Sequence, residues 1–226
     1  MLGSAVAMDK SVSNVLFRAA GLPITPYAAA TAAEWREDPD ALEARAASLG
    51  TPLFVKPASL GSSVGVSKVK SLADLGEALE ETYRHGTKAV IEAAVEGARE
   101  IECAILGNDD PVASVPGEII PAGEFYDYRS KYLDDRTELI VPADLPEETV
   151  EEVQRMAVAA FRAVDCAGMA RVDFFLGPAG LFVNELNTIP GFTEVSMYPK
   201  MWEASGLPYP DLIDRLIGLA IERHGR

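Results

Sequence analysis

The chain has 226 residues, room for one large domain or two small ones with a sizeable core. Its net charge of −15 argues against a nucleic-acid surface, which needs a basic footprint, but allows a nucleotide held by a few local lysines and a metal. No apolar run approaches the ~20 residues of a membrane span, and Met1–Met8 lacks the basic start of a secretory signal.

In chain order, a start so close to Asp9-Lys10 reads as a chain joined mid-protein. Residues 10–20 read as a helix ended by Gly21 and stopped by Pro23, followed by a short strand or connector at 24–27. A second helix spans 39–49. The apolar run 52–57 is a strand that ends on Lys56-Pro57, and a loop of small residues, 58–65, leads to a short strand at 66–69. Leu72, Leu75, Leu79 and Tyr83 form one stripe of a helix over 72–84. Strands follow at 89–92 and 100–106, a turn at 107–111, and more sheet over 112–120. Residues 121–137 are polar and aromatic without a clear period, a long functional loop. A helix at 147–164, strands at 168–176 and 181–186, and a terminal helix at 209–223 complete the chain. A domain boundary is expected near 92–97. The two cysteines, Cys103 and Cys166, have no metal-like spacing and are expected to be buried or inert thiols in a reducing cytoplasm.

The most informative stretch is 171–187. Pro178 suits the first central position of a type I turn, and Gly180 the left-handed residue after it. A three-residue loop, 178–180, pairs 177 with 181, so Asp173 faces Glu185 and Arg171 faces Asn187. All four then project from one side, with Phe175 and Val183 among them, while Val172, Phe174 and Leu186 face the core. Two carboxylates and an amide oxygen suit Mg²⁺ or Mn²⁺, and an arginine beside them suits a phosphoryl group in transfer. The plainer reading is a solvated hairpin with a cross-strand salt bridge. A one-residue slip would break the constellation.

Lys56, at the end of a buried-looking strand before the Ser/Gly loop, can point at phosphates that the loop's backbone N–H groups approach. An ordinary hairpin turn is the commoner explanation of such a loop, which is not a Walker A sequence. Glu92 and Glu100 flank a linker that could serve an adenine edge and a ribose, or be a solvated acidic linker.

Taken together, Ala7-Met8-Asp9-Lys10, Val55-Lys56-Pro57 with Gly61-Ser62-Ser63-Val64-Gly65, Phe125–Tyr132, Arg171-Val172-Asp173 and Asn184–Thr193 resemble the D-alanine–D-alanine ligases of the ATP-grasp superfamily. The resemblance implies an α+β ATP-grasp fold with ATP held between antiparallel sheets. Its two α+β subdomains would be 1–92, the central phosphate-loop side, and 93–226, the C-terminal side with the metal and catalytic residues and a mobile loop at 121–137. It implies ATP-driven joining of two D-alanines through an acylphosphate, for peptidoglycan precursors in the cytoplasm, with no nucleic-acid or membrane partner.

Residue by residue, the resemblance assigns two Mg²⁺ (or Mn²⁺) to Asp173, Glu185 and Asn187, and phosphates to Lys10, Lys56 and Lys131. Glu92, Val95 and Glu100 would take adenine and ribose, with Phe54 and Phe175 sandwiching the base. Arg171 would stabilise the transferring phosphoryl and, with the Gly191 N–H, the oxyanion. Ser196 would take the second D-alanine's carboxylate, Ser62 would fix its loop and the first substrate, and Tyr132 would set specificity. Ala93-Ala94 imply looser packing on adenine.

The family's N-terminal domain has no counterpart in this sequence. Its absence predicts bared apolar surface, and so a homodimer or a separate chain carrying that domain. Two alternatives stay open: a non-catalytic nucleotide-binding remnant or half of a split ligase, and another ATP-grasp carboxylate–amine ligase such as a D-alanine–D-lactate former, against which Tyr132 stands.

Overall fold

The computed structural model describes residues 1–121 and 137–225. The long loop expected at 121–137, with Lys131 and Tyr132, therefore lies almost wholly outside the described residues. In chain order the elements are α1 (Leu2–Met8), α2 (Lys10–Ala19), β1 (Tyr27–Thr31), α3 (Ala32–Glu37), α4 (Pro39–Ala47), β2 (Leu53–Pro57), β3 (Ser67–Val69), α5 (Leu75–His85), β4 (Lys88–Ala93), β5 (Arg99–Gly107), β6 (Val112–Ala113), β7 (Gly117–Ile120), β8 (Glu138–Ile140), α6 (Glu147–Ala163), β9 (Gly168–Gly177), β10 (Gly180–Asn187), α7 (Met197–Ala204) and α8 (Tyr209–His224). Among the described residues no helix is long and apolar enough to cross a membrane.

The first sheet is antiparallel and four-stranded, in the order β1-β4-β2-β3. One face is covered by α4 and α5, which bury Leu42, Ala46, Leu75 and Leu79 against Leu53, Val55 and Ile91. Alternation along β2 and β4 then turns Phe54, Lys56 and Glu92 to the other face. Helix α3 was not expected from the sequence. It starts with a capping box, in which the Thr31 hydroxyl accepts the Glu34 N–H and the Glu34 carboxylate accepts the Thr31 N–H. Leu72, expected on the α5 stripe, instead begins a 3₁₀ turn at Leu72–Asp74 and is exposed.

The second sheet has six strands, in the order β10-β9-β5-β7-β8, with β6 paired to β5. Its inner face packs Ile101, Cys103, Ile105, Val172 and Phe174 on Met156, Ala160 and Phe161 of α6. Helices α1 and α2, grouped with the first subdomain on sequence, add Ala7 and Phe17 to this core, with Leu22 just beyond. The sheet expected over 112–120 consists of two short strands, with Pro116 between them.

The outer face of this sheet is divided along its length. Glu100, Glu102, Ala104 and Leu106 of β5 pair with Phe175, Asp173, Arg171 and Met169 of β9. Helices α7 and α8 cover the apolar end with Tyr198, Met201, Trp202 and Leu212, and the polar end is left to line a cleft.

Both cysteines are free. Burial pushes the Cys103 thiol up to about 12 and the Cys166 thiol up to about 11, so neither is a thiolate at neutral pH.

Asp9 caps α2, accepting from the Ser11 and Val12 N–H groups, and its other oxygen takes Lys88 of β4 at 2.7 Å. Burial raises its pKa, but Lys88, Ser11 and Val12 together outweigh burial and hold it below 3.8. A depressed folded-state pKa contributes stability above the unfolded value and loses it as pH falls through the folded one. Asp9→Ala is therefore expected to cost about 1 kcal/mol at pH 7, with the deficit shrinking below pH 3.8 in urea titrations run at each pH. Phe174→Ala, which empties a fully enclosed site in the second core, is expected to cost about 3–5 kcal/mol in the same assay.

Candidate active site between the two sheets

A cleft of about 480 Å³ separates the polar faces of the two sheets. Of the residues singled out on sequence, Lys10, Phe54, Lys56, Ser62, Glu92, Val95, Glu100, Asp173, Phe175 and Glu185 line it. Arg171 and Asn187 stand behind this wall and reach it through hydrogen bonds. Gly191 and Ser196 lie on the loop after β10, outside the cleft lining. There the Ser196 hydroxyl accepts the Thr193 N–H at 3.1 Å, and a side chain at Gly191 would meet that hydroxyl at the same distance.

On the first-sheet side, Lys56 is 8% exposed and Glu92 4%. Their ion pair, at 2.6 Å, spans adjacent strands. Lys56 also donates to Asn184 Oδ1 at 3.3 Å, which ties β2 to β10 across the cleft. Lys10 is fixed in the same way: its backbone N–H donates to the Ala58 carbonyl, and its ammonium donates to the Leu60 carbonyl and pairs with Glu185 at 3.1 Å. A lysine on α2 thus reaches both the small-residue loop and the hairpin.

That loop is conformationally costly. Ser62 and Ser63 have φ of 54° and 56°, a region that costs a residue with a Cβ about 1–2 kcal/mol. Gly65 follows at φ 70°, where a Cβ would lie 2.8 Å from the His85 ring, and Thr82 of α5 donates to its carbonyl. The loop is anchored at its root and presents its strained tip to the cleft, as functional loops often do.

On the second-sheet side, Arg171 makes a two-point contact with Asp173, Nε to Oδ1 at 2.6 Å and Nη2 to Oδ2 at 2.7 Å. Glu102 lies 3.1 Å from the same Nε. Burial opposes the charge on Arg171, but Asp173, Glu102 and Glu185 outweigh it and hold the guanidinium firmly protonated. Asn187 Nδ2 donates to Asp173 at 3.0 Å and to Glu185 at 3.4 Å. Among the described residues no three His, Cys, Asp or Glu side chains gather as a metal cluster. The group here is two carboxylates and an amide.

The hairpin carries a correction. Pairing resumes at Gly180 opposite Gly177, so the turn has two residues, not three, although Gly180 keeps its positive φ of 121°. The ladder therefore starts one residue out of the expected frame, with Phe182 opposite Phe175 and Val183 opposite Phe174. A bulge between Val183 and Glu185 restores it, and Glu185 meets Asp173 while Asn187 meets Arg171, as expected. Val183, expected among the polar residues, is instead 1% exposed in the inner core. Asn184 is the surplus residue, and the bulge lets it and Glu185, neighbours in sequence, both face the cleft.

Sequence reasoning missed three residues here. Glu102 follows Glu100 at strand spacing and could have been found by that alternation. Asn184 could not, because its position depends on the bulge. Lys68 of β3 lines the cleft with its ammonium 5.9 Å from the centre of the Phe54 ring, a contact that needs the β2–β3 register. Val95, in the linker between the sheets, packs where a side chain at Gly177 would stand.

This arrangement has close counterparts. Residues 16–218 match the family model described as D-ala D-ala ligase C-terminus. The D-alanine–D-alanine ligase of Geobacillus thermodenitrificans is 51% identical over 226 residues, covering 99% of this chain and 62% of that protein. The corresponding ligase of Pseudarthrobacter chlorophenolicus is 53% identical over 231 residues, covering 99% and 60%. Among solved structures, the D-alanine–D-alanine ligase from Coxiella burnetii superposes with a TM-score of 0.84 at 42% identity, covering 99% of this chain and 60% of that one. The VanG D-Ala:D-Ser ligase from Enterococcus faecalis superposes at 0.86 with 36% identity, covering 96% and 63%. The chain thus spans about three fifths of the length of these relatives. With a family match over nearly its whole length and two antiparallel sheets facing across a charged cleft, the chain belongs to the D-alanine–D-alanine ligase C-terminus family and has the α+β ATP-grasp fold.

Proposed function

We propose that the cleft binds Mg-ATP and carries the phosphoryl-transfer and ligation chemistry by which two D-alanines are joined, for peptidoglycan precursors in the cytoplasm. The observation that carries this reading is the Arg171–Asp173–Glu185–Asn187 group, with Lys10 against it and Lys56 facing it across the cleft. Among solved structures, identity of 42% to a D-alanine–D-alanine ligase against 36% to the D-Ala:D-Ser ligase favours D-alanine as the second substrate.

The donor chemistry fits a hard divalent cation. Asp173, Glu185 and Asn187 supply carboxylate and amide oxygens, and Glu185 already takes a cationic group, the Lys10 ammonium. These three would hold two Mg²⁺ (or Mn²⁺), which when bound neutralise charge on the phosphates. Lys10 and Lys56 would contact the phosphates, and so would Lys131, which lies outside the described residues. Glu92, Val95 and Glu100 would hold adenine and ribose, with Phe54 and Phe175 against the base.

Arg171, held in place by Asp173 and Glu102, would stabilise the phosphoryl group as it passes from ATP, releasing ADP, to the carboxylate of the first D-alanine. The second D-alanine's amine, once it has lost a proton, then attacks the acyl carbon; the developing oxyanion would be met by Arg171 and the Gly191 N–H, and inorganic phosphate leaves as the intermediate collapses to the amide. Ser196 would receive the second carboxylate and Ser62 the first substrate. Tyr132, also outside the described residues, would set the choice of second substrate.

ADP release from Mg-ATP is the direct test. It is expected to require D-alanine, to be absent with L-alanine, and to fall about 10²–10³-fold in Arg171→Ala. Intact nucleotide binding without D-alanine-dependent release would replace this reading with that of a nucleotide-binding unit without turnover. EDTA is expected to abolish release and excess Mg²⁺ to restore it, and Asp173→Asn should raise the Mg²⁺ concentration needed for half-maximal rate roughly 10–100-fold. Competition between D-alanine, D-serine and D-lactate, read by product analysis, checks the second substrate.

A further inference from the structure

Glu102 stands outside the donor group and is nonetheless built into it. It lies on β5 directly opposite Asp173 in the β5–β9 ladder. Its side chain is 5% exposed, and its Oε1 is 3.1 Å from Arg171 Nε. Arg171 meanwhile engages both oxygens of Asp173, one with Nε and one with Nη2. Asp173 therefore has two competing duties. A carboxylate that turns an oxygen to a divalent cation gives up part of its two-point hold on the guanidinium. A buried guanidinium deprived of its anion is strongly penalised, so the cation would have to overcome that cost to recruit Asp173.

We propose that Glu102 is the positioning residue that resolves this conflict, holding Arg171 charged and aimed while Asp173 is released to the metal. The inference rests on the reading of the cleft as a Mg-nucleotide site. Glu102 suits the task because it is mounted on a central strand bonded on both sides, by β9 and β7. It reaches Arg171 from the strand next to the donors, so its hold does not depend on where Asp173 points. Its negative charge is the essential property: it replaces the anion that Arg171 loses. Outer partners of metal ligands of this kind typically change metal affinity or activity by about 10–100-fold when removed.

The test is calorimetric titration of the full chain with a non-hydrolysable ATP analogue over a series of Mg²⁺ concentrations. Glu102→Gln, which keeps the shape and loses the charge, is expected to raise the Mg²⁺ midpoint for analogue binding roughly 10–100-fold. Glu102→Asp, which keeps the charge at shorter reach, is expected to recover part of that shift. A residue that served packing alone would not give this order, because the glutamine is the better steric match. An unchanged midpoint in Glu102→Gln overturns the proposal. If that variant fails to fold, Glu102→Asp decides alone, with a raised midpoint expected and an unchanged one overturning it. A wild-type chain that takes up no analogue at any Mg²⁺ concentration overturns the reading of the cleft and this inference with it, an outcome the wild-type arm identifies by itself.

Discussion

A guanidinium that sits largely out of water must be surrounded by anions, and that requirement at Arg171 organises the cleft. Its Coulomb partners arrive from three strands: Asp173 on its own strand, Glu102 on β5 and Glu185 on β10. Each lies where the antiparallel register puts it, so the charge balance is a property of the sheet more than of flexible loops. The lysines of the cleft follow the same rule. Lys56 is buried against Glu92, and Lys10 is shared between Glu185 and the Leu60 carbonyl. In a chain of net charge −15 the cleft thus holds Lys10, Lys56 and Arg171 against carboxylates that already pair with them.

The scaffold gives this polar group a rigid mount by using each outer strand face twice. On β5, Glu100 and Glu102 face the cleft while Ala104 and Leu106, further along the same face, pack beneath α7 and α8. Apolar burial holds the strand flat, and the polar end inherits that rigidity without having to supply it. Across the cleft the fastenings are polar: Lys56 to Asn184, Lys10 to Ala58, Asp9 to Lys88. Hydrogen bonds and exposed ion pairs contribute modestly, of order 1 kcal/mol each.

Strand periodicity made much of the cleft legible. Arg171, Asp173, Glu185 and Asn187 share a face because each pair is two residues apart, and Lys56 follows a buried strand recognisable from its apolar run. Short helices were harder. The Thr31–Glu34 capping box is a local signal, but α1 has no side-chain cap and is held by tertiary contact, with Gly3 fitting against Asp165 and Cys166. The hairpin frame was legible at its far end alone, since nothing local to 178–180 announces a bulge four residues on. Glu102 shares the alternation of Glu100, whereas its closeness to Arg171 depends on the β5–β9 register.

The bulge at Asn184 sets two demands of the fold against each other. A hairpin without that residue would run as an unbroken ladder from its tip, still place the glutamate opposite Asp173, and gain the regularity that the inserted residue disrupts. It would also lose the amide oxygen that meets Lys56 on the facing sheet. Regular pairing within one sheet is thus given up at a single position so that the strand can touch the other sheet. The irregularity lies next to Glu185, so a contact to the facing sheet and the carboxylate that pairs with Lys10 sit on adjacent residues.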